Sequence, residues 1–163
     1  MIIKAIVIFN KLAHDIIMLI RSFNIDDKEK LADIFKLNVP KYFAANEIHD
    51  FEQYLSQYGE TYLTIEHEGK IIGGTGYYVN TSDNSGRITW IFFHPDAKGG
   101  GSGKKAVEYC ISILRADTRV NKLVVTTSQF AFKFFEKFGY ETVKIEKEYW
   151  GAGLDLYLME QPN

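Results

Sequence analysis

The chain alternates between stretches of helical and of strand periodicity. Leu19 to Asn24 reads as a short strand. "IDDKEKLADIFKLNV" follows, with Leu31, Ile34, Phe35 and Leu37 as an apolar stripe and Asp26 or Asp27 as the cap. Pro40 ends that helix. In "NEIHDFEQYLSQY" Asn46 can cap, and Ile48, Phe51, Tyr54, Leu55 and Tyr58 recur at helical spacing. "TYLTIEH" and "KIIGGTGYYV" are strands joined by a tight turn at "EG". After the loop "TSDNSG" comes a third strand, "RITWIFFHP", ended by Pro95.

Glycines then lead into "SGKKAVEYCISILRAD". Ala106, Val107, Cys110, Ile111 and Leu114 share one face, and Lys104, Lys105, Glu108, Ser112 and Arg115 lie opposite. "KLVVTT" is a buried strand. "SQFAFKFFEKFG" is expected to be a helix capped by Ser128 and closed by Gly139. On a wheel at about 100° per residue, Phe130, Phe134 and Phe138 fall on the core face, with Phe135 near its edge, about 140° from Phe130. "YETVKIEKEYW" and "GLDLYLME" complete the set as strands, and the latter could pair across a dimer. The order β-α-α-β-β-β-α-β-α-β-β predicts a mixed α/β domain with a mostly antiparallel central sheet flanked by helices.

The length, 163 residues, suits one domain, and 46% hydrophobic with 25% charged residues is ordinary for a globular chain. A net charge of −2 argues against a nucleic-acid binder. One cysteine, Cys110, allows no intrachain disulfide, and His14, His49, His67 and His94 have no metal-ligand spacing. No metal and no membrane partner are expected, and the compartment expected is the cytoplasm.

The chemistry concentrates in "KGGGSGKK", between a strand and a helix. Consecutive glycines let backbone N–H groups converge, and the free amides and dipole of a helix start favour an anion. A Walker A loop fails here, because Lys98 stands at its first glycine and Lys105 at its final Ser/Thr. A dinucleotide fingerprint started at Gly99 reaches Lys104 where glycine is required.

"ITWIFFHPDAKGGGSGKKAVEYC" resembles the acetyl-CoA loop of the GNAT superfamily of N-acetyltransferases, whose signature is Arg/Gln-x-x-Gly-x-Gly/Ala. It reads here Lys98-Gly99-Gly100-Gly101-Ser102-Gly103, with lysine at the Arg/Gln position. "SQFAFKFFEKFGYE" resembles the family's second cofactor segment, close to Ala-x-x-Phe-Tyr-Glu-Lys-x-Gly-Phe. The resemblance runs from Met18 to about Glu160. It implies a GNAT-like fold in which Ile88–Phe93 splays from Lys122–Thr127. It implies acetyl-CoA as co-substrate, with backbone groups of Ile91 and Phe93 on the pantetheine arm. Lys98, Gly99, Gly101, Ser102, Gly103 and Lys104 would hold the pyrophosphate. Phe130, Phe132 and Phe135 would border the cofactor's far end, with packing the role of Phe130.

Transfer to an amine needs proximity, a neutral amine and an outlet for the departing charge. "GRITWIFF" offers no carboxylate base. Glu47, Asp50, Glu60 and Asp83 are available acids. The joint between the first two helices, "VPKYFAANEIHDF", is where such folds build the acceptor site, so Tyr42, Phe43 and Glu47 are expected to border a small-amine pocket. The family's general acid, the tyrosine of its second segment, is Phe135 here, which has no proton to give. Water, the acceptor, Ser128 or Tyr140 are the alternatives. The function expected is direct acetyl transfer to a primary amine of a small molecule or amino-acid-like substrate, by a monomer or homodimer. A catalytically silent acyl-CoA-binding sensor or regulatory module is the other reading.

"MIIKAIVIFN" resembles the start of a leader, but Asn10–Lys11 and His14–Asp15 break the run and no small-residue cleavage site follows. Residues 1–17 therefore read as an appendage to a single domain over 18–163. A chain starting at Met18 is expected to melt within a few degrees of the full chain. A large fall in Tm would overturn that reading.

Overall fold

The structure is a computed structural model that describes residues 6–9, 17–97 and 99–163. The strands are β1 (Ile6–Phe9), β2 (Ile17–Ser22), β3 (Tyr62–His67), β4 (Lys70–Asn80), β5 (Ser85–Phe93), β6 (Lys122–Thr127), β7 (Glu141–Gly151) and β8 (Leu154–Pro162). The α-helices are α1 (Lys28–Lys36), α2 (Glu47–Tyr58), α3 (Ser102–Ala116) and α4 (Phe132–Glu136). The strands form one sheet in the order β1-β2-β3-β4-β5-β6-β8-β7. Among the described residues only β5 and β6 run parallel; the other pairs are antiparallel. From β2 onward the element order is the one the periodicity predicts, and the α/β class with its mostly antiparallel sheet is the one expected.

Each face of the sheet carries helices over its own core. On one face Ala106, Val107, Cys110 and Leu114 of α3 pack with Ile88, Val125, Phe135 and Met159. On the other, Leu31, Ile34 and Phe35 of α1 meet Phe51 and Leu55 of α2 above Tyr62 and Phe92. Most of the apolar stripes read from sequence become the two seams, but Leu37 and Tyr58, at the helix ends, are exposed.

Three local readings change. Asp27 stands at the N-cap of α1 but caps no α1 amide with its side chain; Asn24 caps the 3₁₀ turn before it, accepting from the Asp26 N–H at 3.0 Å, while Asp27 accepts from the Asn24 N–H at 2.9 Å. Asn46 makes no side-chain cap, and Glu47 accepts the Ala44 N–H instead. "GLDLYLME" has no free edge, because β8 is held between β6 and β7; the edge strand at that end of the sheet is β7.

The strand β1 lies inside the segment set apart as an appendage and pairs with β2, Ile6 opposite Ile20 through Phe9 opposite Ile17. The rest of residues 1–16 lies outside the described residues.

A polar cluster ties β2, β3 and α1 together. Arg21 grips Asp27 with two bonds, 2.6 and 2.8 Å, and reaches Glu66 at 2.8 Å. Thr64 donates to Asp27 at 2.9 Å. Burial alone would raise the Asp27 carboxyl, but the bonds from Arg21, Asn24 and Thr64 outweigh it and hold it below the usual aspartate value. Asp27→Asn is expected to cost on the order of 2–3 kcal/mol in urea unfolding at neutral pH. The stabilisation from this depressed carboxyl is complete above the ordinary value of 3.8 and is lost as pH falls through the folded value. The gap between wild type and variant should therefore close in acid. A gap that is flat with pH would contradict it.

Candidate active site

The parallel pairing of β5 and β6 covers only Ser85–Ile88 against Lys122–Val125. Beyond it β5 follows β4 while β6 follows β8, so the sheet opens. A cleft of about 620 Å³ occupies the gap, lined along its length by Thr89–Phe93 and by Val125–Ser128.

The opening is shaped by a bulge. Gly76 sits opposite Thr89 but Gly74 opposite Phe92, so β5 carries the extra residue, and Trp90 takes φ 49°, a rare conformation for a bulky side chain. The Trp90 carbonyl accepts from the Tyr62 hydroxyl at 2.9 Å. Glycines on β4 make room. A Cβ on Gly74 would stand 2.6 Å from the Tyr62 ring, and one on Gly76 2.6 Å from the Tyr54 hydroxyl. "GGTG" in a strand is the clue to this bulge that sequence reading passed over.

Past the bulge, the His94 N–H donates to Ile72 at 2.7 Å, which turns the backbone groups of His94 and Phe92 toward β4. Strand alternation turns those of Ile91 and Phe93 toward the cleft. Asn38, a residue sequence reading missed, donates through Nδ2 to the Phe93 carbonyl at 2.9 Å and to the Ile34 carbonyl at 2.9 Å. Each carbonyl has two lone pairs, so Phe93 keeps one.

The chain then passes a 3₁₀ turn at Pro95–Ala97 into the glycine loop. Gly99 and Gly101 have φ 90° and 74°, and Gly101 is the N-cap of α3. Without a capping side chain there, the first-turn amides of α3 are left to the cleft. Gly99, Gly101, Ser102, Gly103 and Lys104 all line it. Ser102 is buried, and the exposed Lys104 ammonium lies 3.8 Å from Glu108. Lys98 lies outside the described residues.

At the other end the joint between α1 and α2 contributes Tyr42, Phe43 and Glu47 to the same cleft. The Phe43 ring stacks on Trp90, centroids 6.2 Å apart and planes at 21°. Glu47 is half-buried, and burial pushes its carboxyl up, opposed by the Ala44 N–H at 2.6 Å and reinforced by Asp50. Asp50, Glu60 and Asp83 do not line the cleft. Trp150, also missed, joins the lining from β7 and donates to the Thr127 carbonyl at 3.3 Å.

The phenylalanine segment differs most from expectation. Phe130 is 52% exposed at the cleft mouth, whereas Phe135 is 2% exposed. The wheel assumed a helix from Ser128, but α4 starts only at Phe132 and Ala131 has φ −128°, so the 100° step does not connect Phe130 to Phe134. Ser128 still contributes, its Oγ accepting the Phe130 N–H at 3.3 Å, and Gly139 ends the turn with φ 89°. Phe135 packs against Phe134 and Tyr140 and lines the cleft. Phe132 instead stacks on Tyr157, 4.7 Å away, off the cleft. Tyr140 does not line the cleft, and burial pushes its hydroxyl up to about 12.

A mostly antiparallel sheet parted at one parallel pair, with a glycine-capped helix at the mouth, is the architecture of a GNAT acetyltransferase. Residues 29–140 match the model of the GNAT acetyltransferase family, and the chain belongs to that family. Its class is that of the N-acetyltransferases. Among solved structures, it is similar to a ribosomal-protein-alanine N-acetyltransferase from Brucella melitensis at 19% identity, with 88% of this chain and 99% of that one covered and a TM-score of 0.71. An N-acetyltransferase from Staphylococcus aureus matches at 15% identity over 89% and 98%, TM-score 0.70. The N-acetylglutamate synthase of Neisseria gonorrhoeae, solved with coenzyme A and N-acetyl-glutamate, matches at 18% over 93% of this chain and 36% of that one, TM-score 0.71. No curated protein matches the sequence.

On Gly73 a Cβ would collide with the Phe92 carbonyl oxygen and stand 2.9 Å from Phe93 Cα, both backbone atoms. Gly73→Ala is expected to cost roughly 1–3 kcal/mol in unfolding and to weaken acetyl-CoA binding in titration calorimetry. Unchanged values for both would show that β5 can yield there without disturbing the cleft.

Proposed function

We propose that this acetyltransferase moves the acetyl group of acetyl-CoA directly to the primary amine of a small molecule. The observation that carries the reading is one continuous cleft with unlike ends: free amides and Lys104 at one, a half-buried carboxylate among aromatic rings at the other.

The cleft has the features such a co-substrate needs. The parted strands leave backbone donors and acceptors of Ile91 and Phe93 without a ladder partner on that side. Gly99, Gly101 and Gly103 keep side chains out of the approach to the α3 amides, where a pyrophosphate is favoured. Lys104 adds positive charge there. Acetyl-CoA supplies the acetyl group as an activated thioester.

On the acceptor side, Glu47 takes the amine's proton. A carboxyl raised by burial is a better base than an exposed one, while a lysine-like amine has a pKa of about 10, so desolvation among the rings assists. Positioning supplies much of the remaining rate. The side chain of Phe135 donates no proton, and the buried Tyr140 hydroxyl lies off the cleft. Thiols have pKa near 8.5, so a thiolate departs without an acid, and water or the Ser128 hydroxyl, which does line the cleft, can protonate it afterwards.

Phe135 favours one other reading, the silent acyl-CoA-binding module. Thiol release from acetyl-CoA across a panel of primary amines separates the two. Release with at least one amine supports transfer; acetyl-CoA binding without release across the panel overturns it. Phe135→Tyr is expected to change kcat by less than about threefold, since the leaving thiolate needs no acid. A rise of about tenfold or more would show that protonation limits the native enzyme.

A further inference from the structure

The acceptor end has a one-sided chemistry. Its walls are Tyr42, Phe43, Trp90 and Trp150. The Phe43–Trp90 stack forms one wall, backed by Phe51, whose ring centroid is 5.6 Å from that of Trp90. Trp150 closes the end from β7: a Cβ on its neighbour Gly151 would stand 3.5 Å from the Ala44 Cβ, which places this part of β7 against the joint between α1 and α2. Fixing of Trp150 by the Thr127 carbonyl holds the indole across the gap.

Charge is equally uneven. Among the described lining residues Glu47 is the only acid and Lys104, in the first turn of α3, is the only lysine or arginine; His94 lies on the segment that leads from β5 into α3. Lys41, whose ammonium lies 5.0 Å from the Tyr42 ring centroid, does not itself line the cleft. An ammonium entering here meets aromatic faces and one carboxylate, both attractive to a cation. A carboxylate entering beside it meets Glu47 and no lining cation at that end, so it is desolvated without a partner.

We propose that the acceptor is a monocationic primary amine with a flat apolar or aromatic flank, and that the pocket disfavours an amine carrying an adjacent carboxylate. This narrows the acceptor class left open by composition and motif, where amino-acid-like substrates stood alongside simple amines. It rests on the transfer reading above. Phe43, Trp90 and Trp150 are then specificity-determining residues, holding the flank while Glu47 faces the ammonium.

Matched pairs test it: 2-phenylethylamine against phenylalanine, and tryptamine against tryptophan. With saturating acetyl-CoA, thiol release should give each amine a kcat/KM at least about tenfold above its amino acid, the scale of one desolvated cation–π or charge contact. The same pairs titrated into the CoA-saturated protein by calorimetry should show the same order in Kd, a readout that needs no turnover. Trp150→Leu should raise KM for 2-phenylethylamine about tenfold or less and leave the Kd of acetyl-CoA unchanged. Equal or tighter binding of the amino acids overturns the proposal even if transfer is confirmed. Tighter binding of the amines without thiol release would uphold the pocket chemistry and overturn the transfer reading instead.

Discussion

The separation of β5 from β6 beyond Ile88 and Val125 is the constraint on which everything else in the molecule hangs. A sheet normally satisfies both sides of every inner strand, and leaving one side open in the interior costs free energy unless something else pairs with it. Here the opening is built in. The bulge at Trp90 bends β5 away, the glycines of β4 give it room, and Tyr62 and Asn38 take two of the carbonyls released. What remains unpaired faces one cleft, and the glycine loop stands at its mouth.

The same bulge links the two ends of the cleft. Turning Trp90 out of the regular ladder places its ring under Phe43, so the strand that presents backbone groups at one end also supplies an aromatic wall at the other. The two layers of helices have separate duties as a consequence. The α3 face carries helix-start amides with no side-chain cap, and the α1–α2 face carries the rings and the one carboxylate among the described lining residues. Burial acts on Glu47 in the direction that suits a base, whereas the similarly placed Asp27 is held down by Arg21 and serves only to pin α1 to the sheet.

Local chemistry was legible wherever a short stretch decides its own conformation. The stripe of α3, the glycines at its start, the "EG" turn and the buried strand "KLVVTT" needed no knowledge of the rest of the chain, and the strand Lys122–Thr127 has the bounds expected. Reading failed where a turn replaced an assumed helix, where an expected cap did not form, and where the partner lies far along the chain. Phe130 looked like core because a continuous helix was assumed, yet the chain between Ser128 and Ala131 is a turn, and the ring is left at the cleft mouth. Asn46 is a good cap by type and holds the N-cap position, but its side chain caps no amide, while Glu47 reaches back to the Ala44 N–H. Asn38 and Trp150 carried no motif at all, since their partners lie 55 and 23 residues away.

Sequence by itself determined the family, the order of elements from β2 onward, the glycine loop and the absence of a tyrosine hydroxyl at Phe135, because each is a property of adjacent residues and fixed spacing. Tertiary structure alone decided that Tyr42, Phe43 and Glu47 share a cleft with Gly99 and Gly101–Lys104, that Trp150 joins its lining, and that Tyr140 stands outside it. Those facts depend on how far β5 bends from β6 and on which face each helix covers. Such geometry arises from contacts between residues far apart in the chain, and no local period of the sequence encodes it.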